Sequence, residues 1–196
     1  MTETFADRCR QAFEAAAAAH RRAAPALSAP LSEAAALLGG TLARGGKLLV
    51  CGNGGSAAES QHFASELTGR FQRERRGLPA MALTVDTSAL TAIANDYGFE
   101  RVFARQVEAL GRPGDALVAI STSGRSANVV QAAEAARAAG LAVIAVTGAD
   151  PGRLGELATV TLAVPEPVTA HVQEVHLTLL HVLCDEIERA LVQDAP

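Results

Sequence analysis

The chain has little that would tie it to an oxidising compartment, a membrane or a nucleic acid. Its three cysteines, Cys9, Cys51 and Cys184, are odd in number, widely spaced and contain no C-x-x-C pair. Neither a disulfide framework nor a thiolate zinc knuckle follows from them, and they read as buried or free thiols in a reducing compartment. No basic block is present, and 17 Lys+Arg against 21 Asp+Glu give a formal charge of −4. Nucleic acid is therefore not the default partner. No stretch approaches the roughly 18 apolar residues of a membrane span, and Met1 to Arg10 is polar and charged rather than a basic cap before an apolar run. A cytoplasmic protein without a membrane partner is expected.

What the chain does have is apolar surface. Of its 196 residues 49% are hydrophobic and only 19% charged, enough to bury a sizeable core and to exclude general disorder. One domain of ordinary size accommodates that length, with residues 1–46 as a helical extension and 47–196 as the core. Residues 3–23 are rich in alanine, with Phe5, Cys9 and Phe13 at helical spacing, and predict a helix ending before Pro25. A second helix, about Leu31 to Ala43, ends at Gly45 and Gly46. From Lys47 onward short β-prone runs (47–51, 80–85, 116–120, 141–147 and 159–164) alternate with longer helical stretches, the pattern of a parallel sheet wrapped by helices. Runs such as ALVAI and AVIAV are apolar throughout, as strands covered on both faces must be. The expectation is an α/β fold with a doubly wound, five-stranded parallel sheet of flavodoxin-like type.

In such a sheet ligands sit beyond the carboxyl ends of the strands. The first loop there, Cys51-Gly52-Asn53-Gly54-Gly55-Ser56-Ala57, lies between a strand and a helix, so its backbone can turn tightly and aim free N–H groups at an anion. It also satisfies a loose G-x-G-x-x-A pattern, so a nicotinamide site and a sugar-phosphate site both remain open, as does a plain structural turn. The third strand ends in Ser121-Thr122-Ser123-Gly124-Arg125-Ser126, four hydroxyls and an arginine where a phosphate dianion could be held, although single hydroxyls also cap helices. His62 and Glu66, four apart on the helix leaving the first loop, share one face and could ligate one metal or form an ordinary exposed pair. The last helix, about Val168 to Val192, carries Gln173, Glu174, His176 and His181. Gln173 and His181 lie within roughly 80° of each other about the axis, while His176 points elsewhere; a polar residue on such a helix could also simply be a satisfied core histidine. Asn95 and Asp96 follow a short helical stretch, where a capping turn explains them equally well. Against a nicotinamide enzyme, the first acidic residue after a strand is Asp86, about thirty positions past the glycines rather than the roughly twenty expected for ribose binding.

Taken together, CGNGGSAAESQHFASELTGRF (51–71), TAIANDYGF, STSGRSANV and VQEVHLTLLH closely resemble the phosphoheptose (sedoheptulose-7-phosphate) isomerases, in order from about residue 47 to the end. The resemblance implies a sugar-isomerase (SIS) domain assembled as a homotetramer, with active sites between subunits and one zinc ion per site on residues matching His62, Glu66, Gln173 and His181. For the chemistry, Glu66 is the expected base that removes and returns the carbon-bound proton, and His181 serves the oxygens as complementary acid or base. Contacts to the sugar phosphate carry over onto Asn53, Gly54, Gly55, Glu66, Asn95, Asp96, Ser121, Thr122, Ser123, Ser126 and Gln173, with Ser56 and Arg70 as further candidates. The expected reaction converts sedoheptulose 7-phosphate into an aldose, D-glycero-D-manno-heptose 7-phosphate, through an enediol. One departure stands out: many relatives carry an arginine just before the I-Q-E segment, where this chain has Ala170-His171-Val172-Gln173, a change that bears on the product's stereochemistry. A noncatalytic relative of the same fold, which associates with a replication initiator, tends to lose the glutamate matching Glu66, so its retention favours an enzyme.

Overall fold

The structure, a computed structural model, describes residues 3–192. Five strands, β1 (Leu48–Gly52), β2 (Ala80–Ala82), β3 (Ala116–Ser121), β4 (Ala142–Thr147) and β5 (Val160–Ala163), form one parallel sheet in the order β2-β1-β3-β4-β5. Central strands β1 and β3 are buried at every position, which is why they read as unbroken apolar runs. Alternate residues feed two cores. Leu48, Val50, Val118 and Ile120 face α1 (Phe5–Ala43), α2 (Gly55–Thr68) and α7 (Thr169–Val192), whereas Leu49, Cys51, Leu117 and Ala119 face α4 (Ala104–Leu110), α5 (Ala127–Ala138) and α6 (Gly152–Leu157). Between β2 and α4 the chain forms α3 (Thr87–Tyr97) and a 3₁₀ turn (Phe99–Arg101).

Three expectations need correction. The two N-terminal helices are one 39-residue helix, α1, with Pro25 and Pro30 inside it. A proline in a helix interior costs about 3 kcal/mol through its lost N–H bond and its clash with the preceding turn. Leu27, Leu38 and Leu42 are buried on the stripe that also holds Ala19, Ala23 and Ala34, and those three leucines alone contribute roughly 5–9 kcal/mol. Packing against α7 and β5 thus outweighs the two breaks. A capping box, Thr4 with Asp7, starts this helix. Its length and mean hydropathy also make it the one described helix that could cross a membrane by composition alone, a test that core helices pass as well. Second, β2 stops at Ala82 rather than Val85. Leu83 still donates to the Val50 carbonyl (2.8 Å) before the chain turns away. Third, Asn95 and Asp96 belong to the last turn of α3 rather than to a loop after it; this helix starts on Asp86, whose carboxylate accepts from the Ala89 N–H (2.9 Å).

The strand order places the switch point between β1 and β3, so the loops that follow these two strands flank one crevice. On the same face α2 and α7 both leave the carboxyl end of the sheet, and they run side by side in the same direction.

Candidate active site

The two loops at the crevice are joined directly. Asn53, in the glycine-rich loop, and Asn128, in the first turn of α5, exchange reciprocal amide hydrogen bonds of 2.8 Å in each direction. Gly52 leaves no room for a side chain, because a Cβ there would overlap Ser56. Ser56 is buried, and its carbonyl accepts from the Ser60 hydroxyl (2.7 Å). Opposite, the hydroxyls of Ser121 and Ser126 lie 3.0 Å apart and those of Ser121 and Ser123 3.5 Å apart, so three of the four expected oxygens converge at the N-terminus of α5. Thr122 fixes the loop through its backbone, with its carbonyl accepting from the Gly148 N–H (3.0 Å). Gly124, at φ +63°, passes so close to Pro151 that any Cβ would overlap its carbonyl. Converging hydroxyls at a helix start suit an anion. Arg125, by contrast, is turned outward onto Asp150.

Beside this cradle, α2 and α7 bring the other expected residues together. The Nε2 atoms of His62 and His181 face each other at 2.8 Å, and His62 Nε2 lies 3.5 Å from Glu66 Oε1. Facing residues on the two helices stay 118–119 positions apart in sequence, at Gly55 with Gln173 and at His62 with His181, because two helices running the same way rise at the same rate. Gln173 falls one step earlier on this ladder: its carboxamide lies against Gly55, where a Cβ would overlap it. The structure therefore sets Gln173 beside the glycine loop, nearly two turns above the histidine pair. Among the described residues no three His, Cys, Asp or Glu side chains close into a ready metal cage. Even so, the donors suit zinc. Two imidazole nitrogens point at a common spot beside a carboxylate, and tetrahedral zinc at about 2.0–2.1 Å from each nitrogen would place them roughly 3.3 Å apart, half an ångström beyond their present separation.

His181 is held on its other side as well. The Phe71 ring stacks on its imidazole, with centroids 5.4 Å apart and planes at 27°. Phe71 in turn is fixed by Glu188, a fully buried carboxylate that accepts the backbone N–H groups of Phe71 (2.9 Å), Gln72 (2.9 Å) and Arg73 (2.8 Å) and pairs with Arg75 at 3.0 Å. Burial alone would raise the Glu188 pKa, but those three N–H groups and the Arg75 charge outweigh it and hold the carboxyl below its ordinary value. Arg75 also donates to the carbonyls of Glu66 and Leu67 (both 2.8 Å), closing the end of α2.

Not all expected residues gather here. Asn95 and Asp96 are exposed and bonded to each other (2.8 Å), and no hydrogen bond among the described residues ties them to the loops or the histidines. Arg70 is exposed and lies 3.9 Å from Glu74. The cysteines are free: Cys9 is exposed, whereas burial pushes Cys51 and Cys184 up to about 12, too high for thiolate chemistry. Asn128, Phe71, Arg75 and Glu188 had no distinguishing spacing in the sequence; only the packing of distant elements gives them a role.

A parallel sheet with two anion loops at its switch point and a histidine–glutamate cluster on the adjoining helices defines a class, and residues 12–148 match the SIS domain family. Within that class, the chain is 60% identical over 154 residues to the phosphoheptose isomerase of Roseiflexus sp. (strain RS-1), covering 79% of this chain and 78% of the relative. It is 55% identical over 183 residues to that of Thiobacillus denitrificans, covering 92% and 93%. The solved structure of the Neisseria gonorrhoeae phosphoheptose isomerase superposes with a TM-score of 0.89 at 49% identity, covering 95% of this chain and all of that one. The chain belongs to the phosphoheptose isomerase family of SIS-domain sugar-phosphate isomerases.

Proposed function

We propose that the protein converts sedoheptulose 7-phosphate into D-glycero-D-manno-heptose 7-phosphate through an enediol, with one zinc ion per site. The observation that carries this reading is the approach of His62 and His181 to 2.8 Å, with Glu66 alongside, next to a hydroxyl-lined helix start.

An aldose–ketose exchange moves one proton between neighbouring carbons and another between their oxygens. Glu66 is the base that removes and returns the carbon-bound proton, and His181 serves the oxygens as acid and base. His62, Glu66 and His181 would hold the metal, and the Gln173 carboxamide, now against Gly55, would be the fourth donor. Bound there, zinc supplies a Lewis acid that polarises the sugar oxygens. A carboxylate bound to a metal is a weaker base than a free one, so the proton-transfer role falls to Glu66 only where its carboxylate is free to reach the substrate carbon. Ser121, Ser123, Ser126 and the α5 N-terminus hold the phosphate, with Thr122 beside them, and Asn53 and the Gly54–Gly55 backbone line the approach. Anchoring at the phosphate end brings the reacting carbons to the Glu66 and His181 side chains.

Asn95 and Asp96 reach a substrate from a second copy of the chain, so the working unit is a homotetramer with sites between subunits. In support, a cleft of about 450 Å³ runs between α1 and α7, lined by Leu31, Ala35, Val182 and Ala190, and Leu177 and Val182 are exposed on α7. The cytoplasm is the matching location, given thiols that are all unpaired.

The test is incubation of the purified protein with sedoheptulose 7-phosphate, with and without a chelator, and identification of the product. Formation of an aldose heptose 7-phosphate that stops on chelation and resumes with zinc is expected. No turnover, or turnover indifferent to the chelator, overturns the substrate or the metal assignment respectively.

A further inference from the structure

His176 and Glu59 take no part in the chemistry above, yet both are buried between the helices that carry it. His176 is fully buried on α7, and its Nε2 lies 3.0 Å from the Thr147 carbonyl oxygen. A carbonyl can only accept, so Nε2 carries a hydrogen and Nδ1 is left for another partner. Nδ1 faces Oε2 of Glu59, on α2, at 3.7 Å, and neither atom has a hydrogen-bond partner among the described residues. Two bare lone-pair atoms confronting each other in the interior repel, and each unmet group costs about 1–3 kcal/mol. A water bridging them would need roughly 4.4 Å between its partners, so the gap is too small for one. It exceeds a direct hydrogen bond by less than a side-chain adjustment of about 1 Å.

We propose that Glu59 and His176 share one buried proton, forming a chain Glu59–His176–Thr147 carbonyl, and act as positioning residues that hold α2 and α7 in the register at which His62 and His181 meet. The pair is a rung of the same ladder, lying between the Gly55–Gln173 contact and the His62–His181 pair. Apolar side chains of similar size would fill the space but allow the helices to slide, whereas a hydrogen bond fixes both separation and axial position. The far end of the chain, Thr147, precedes Gly148, whose N–H holds the Thr122 carbonyl, so the same strand end supports the hydroxyl loop. Carboxylate and carbonyl partners that orient residues around a metal site change affinity or activity by about 10–100-fold when removed.

This inference rests on the reading of His62 and His181 as metal ligands, and the experiment separates the two. In the unmutated, metal-free protein, ¹⁵N NMR of the histidines shows one ring with hydrogen on Nε2 and an Nδ1 resonance displaced by hydrogen bonding, which Glu59→Ala abolishes. That signal needs neither metal nor substrate. Zinc affinity, measured by competition with a chromophoric chelator, falls about 10–100-fold in Glu59→Ala and His176→Leu. Turnover falls by a similar factor at unchanged KM, because the hydroxyl loop keeps its own bonds. Glu59→Gln, whose amide can donate to Nδ1, stays within about threefold of the unmutated protein on both measures. Unmutated zinc affinity and turnover in Glu59→Ala, a loss in Glu59→Gln as large as in Glu59→Ala, or a histidine spectrum without the bonded Nδ1 each overturns the proposal. If Glu59→Ala does not fold, Glu59→Gln and the unmutated spectrum decide. If the unmutated protein binds no zinc, the ligand reading fails, while the spectrum and the kcat of the variants still decide the shared proton.

Discussion

Single side chains divide here into those that act and those that hold. On the proposed mechanism, Glu66→Gln keeps the shape of the carboxylate but cannot take a proton from carbon, and His181→Ala removes the group that would serve the oxygens. Each lowers turnover by about 10²–10⁴-fold while circular dichroism stays unchanged. Near-normal turnover in either variant removes that residue from its role. Gly124→Ala tests the cradle instead. At φ +63° an L side chain costs about 1–2 kcal/mol before its overlap with the Pro151 carbonyl is counted, so a lower melting temperature and a raised KM for the sugar phosphate are expected. The candidate residues could be singled out in the sequence, but His62 and Glu66 at helical spacing equally fit an exposed pair and single hydroxyls equally fit helix caps, so their assigned roles rested on the family resemblance. Asn128 could not be singled out, because an asparagine two residues after Ser126 gains meaning only when Asn53 stands opposite it.

Helices and strands carry the next level of argument. The segment 71–73 and the end of α2 both hang on Glu188, so Glu188→Ala leaves three N–H groups and the Arg75 charge buried without their partner. It should lose about 3–5 kcal/mol of stability in urea unfolding. The carboxyl titrates below its ordinary value in the folded chain, so its contribution is fully present above the unfolded glutamate pKa of about 4.3. It is lost as pH falls from there through the lower folded value. Urea midpoints recorded downward from neutral pH should fall less steeply below that point in Glu188→Gln than in the unmutated protein. Helix α1 gives a prediction of opposite sign. Pro25 is exposed within it, and Pro25→Ala should stabilise the chain by up to about 3 kcal/mol, a gain read as a higher urea midpoint. Strands β1, β3 and β4 could be read from local composition because burial on both faces leaves an apolar run, whereas the edge strand β2 is half exposed and stops short of its expected end. The continuity of α1 could not, since the leucine stripe that overrides Pro25 and Pro30 is apolar for the sake of α7, more than a hundred residues away.

For the molecule as a whole, the separation of Asn95 and Asp96 from the histidine pair leads to a mixing experiment. If the working unit is the proposed homotetramer with sites between subunits, Glu66→Gln and Asp96→Ala, each inactive alone, should regain part of the activity when co-refolded, because some mixed sites would draw both intact groups from different copies. No recovery would place the complete site within one chain. That the sheet is parallel and doubly wound followed from alternating elements and the handedness of their connections, while its strand order came from the fold. The pairing of α2 with α7 came from it too, since nothing in either segment announces its neighbour. That pairing also limits how such a chain can vary over generations. Losing or gaining one residue inside either helix turns everything beyond it by about 100° and shifts it about 1.5 Å, so the histidines, the proton-sharing pair and the Glu188 anchor would part company together. The same change at the exposed turn Arg112–Gly114, which lies between α4 and β3, would leave all three untouched, and length differences between related chains should collect there and spare the two helices.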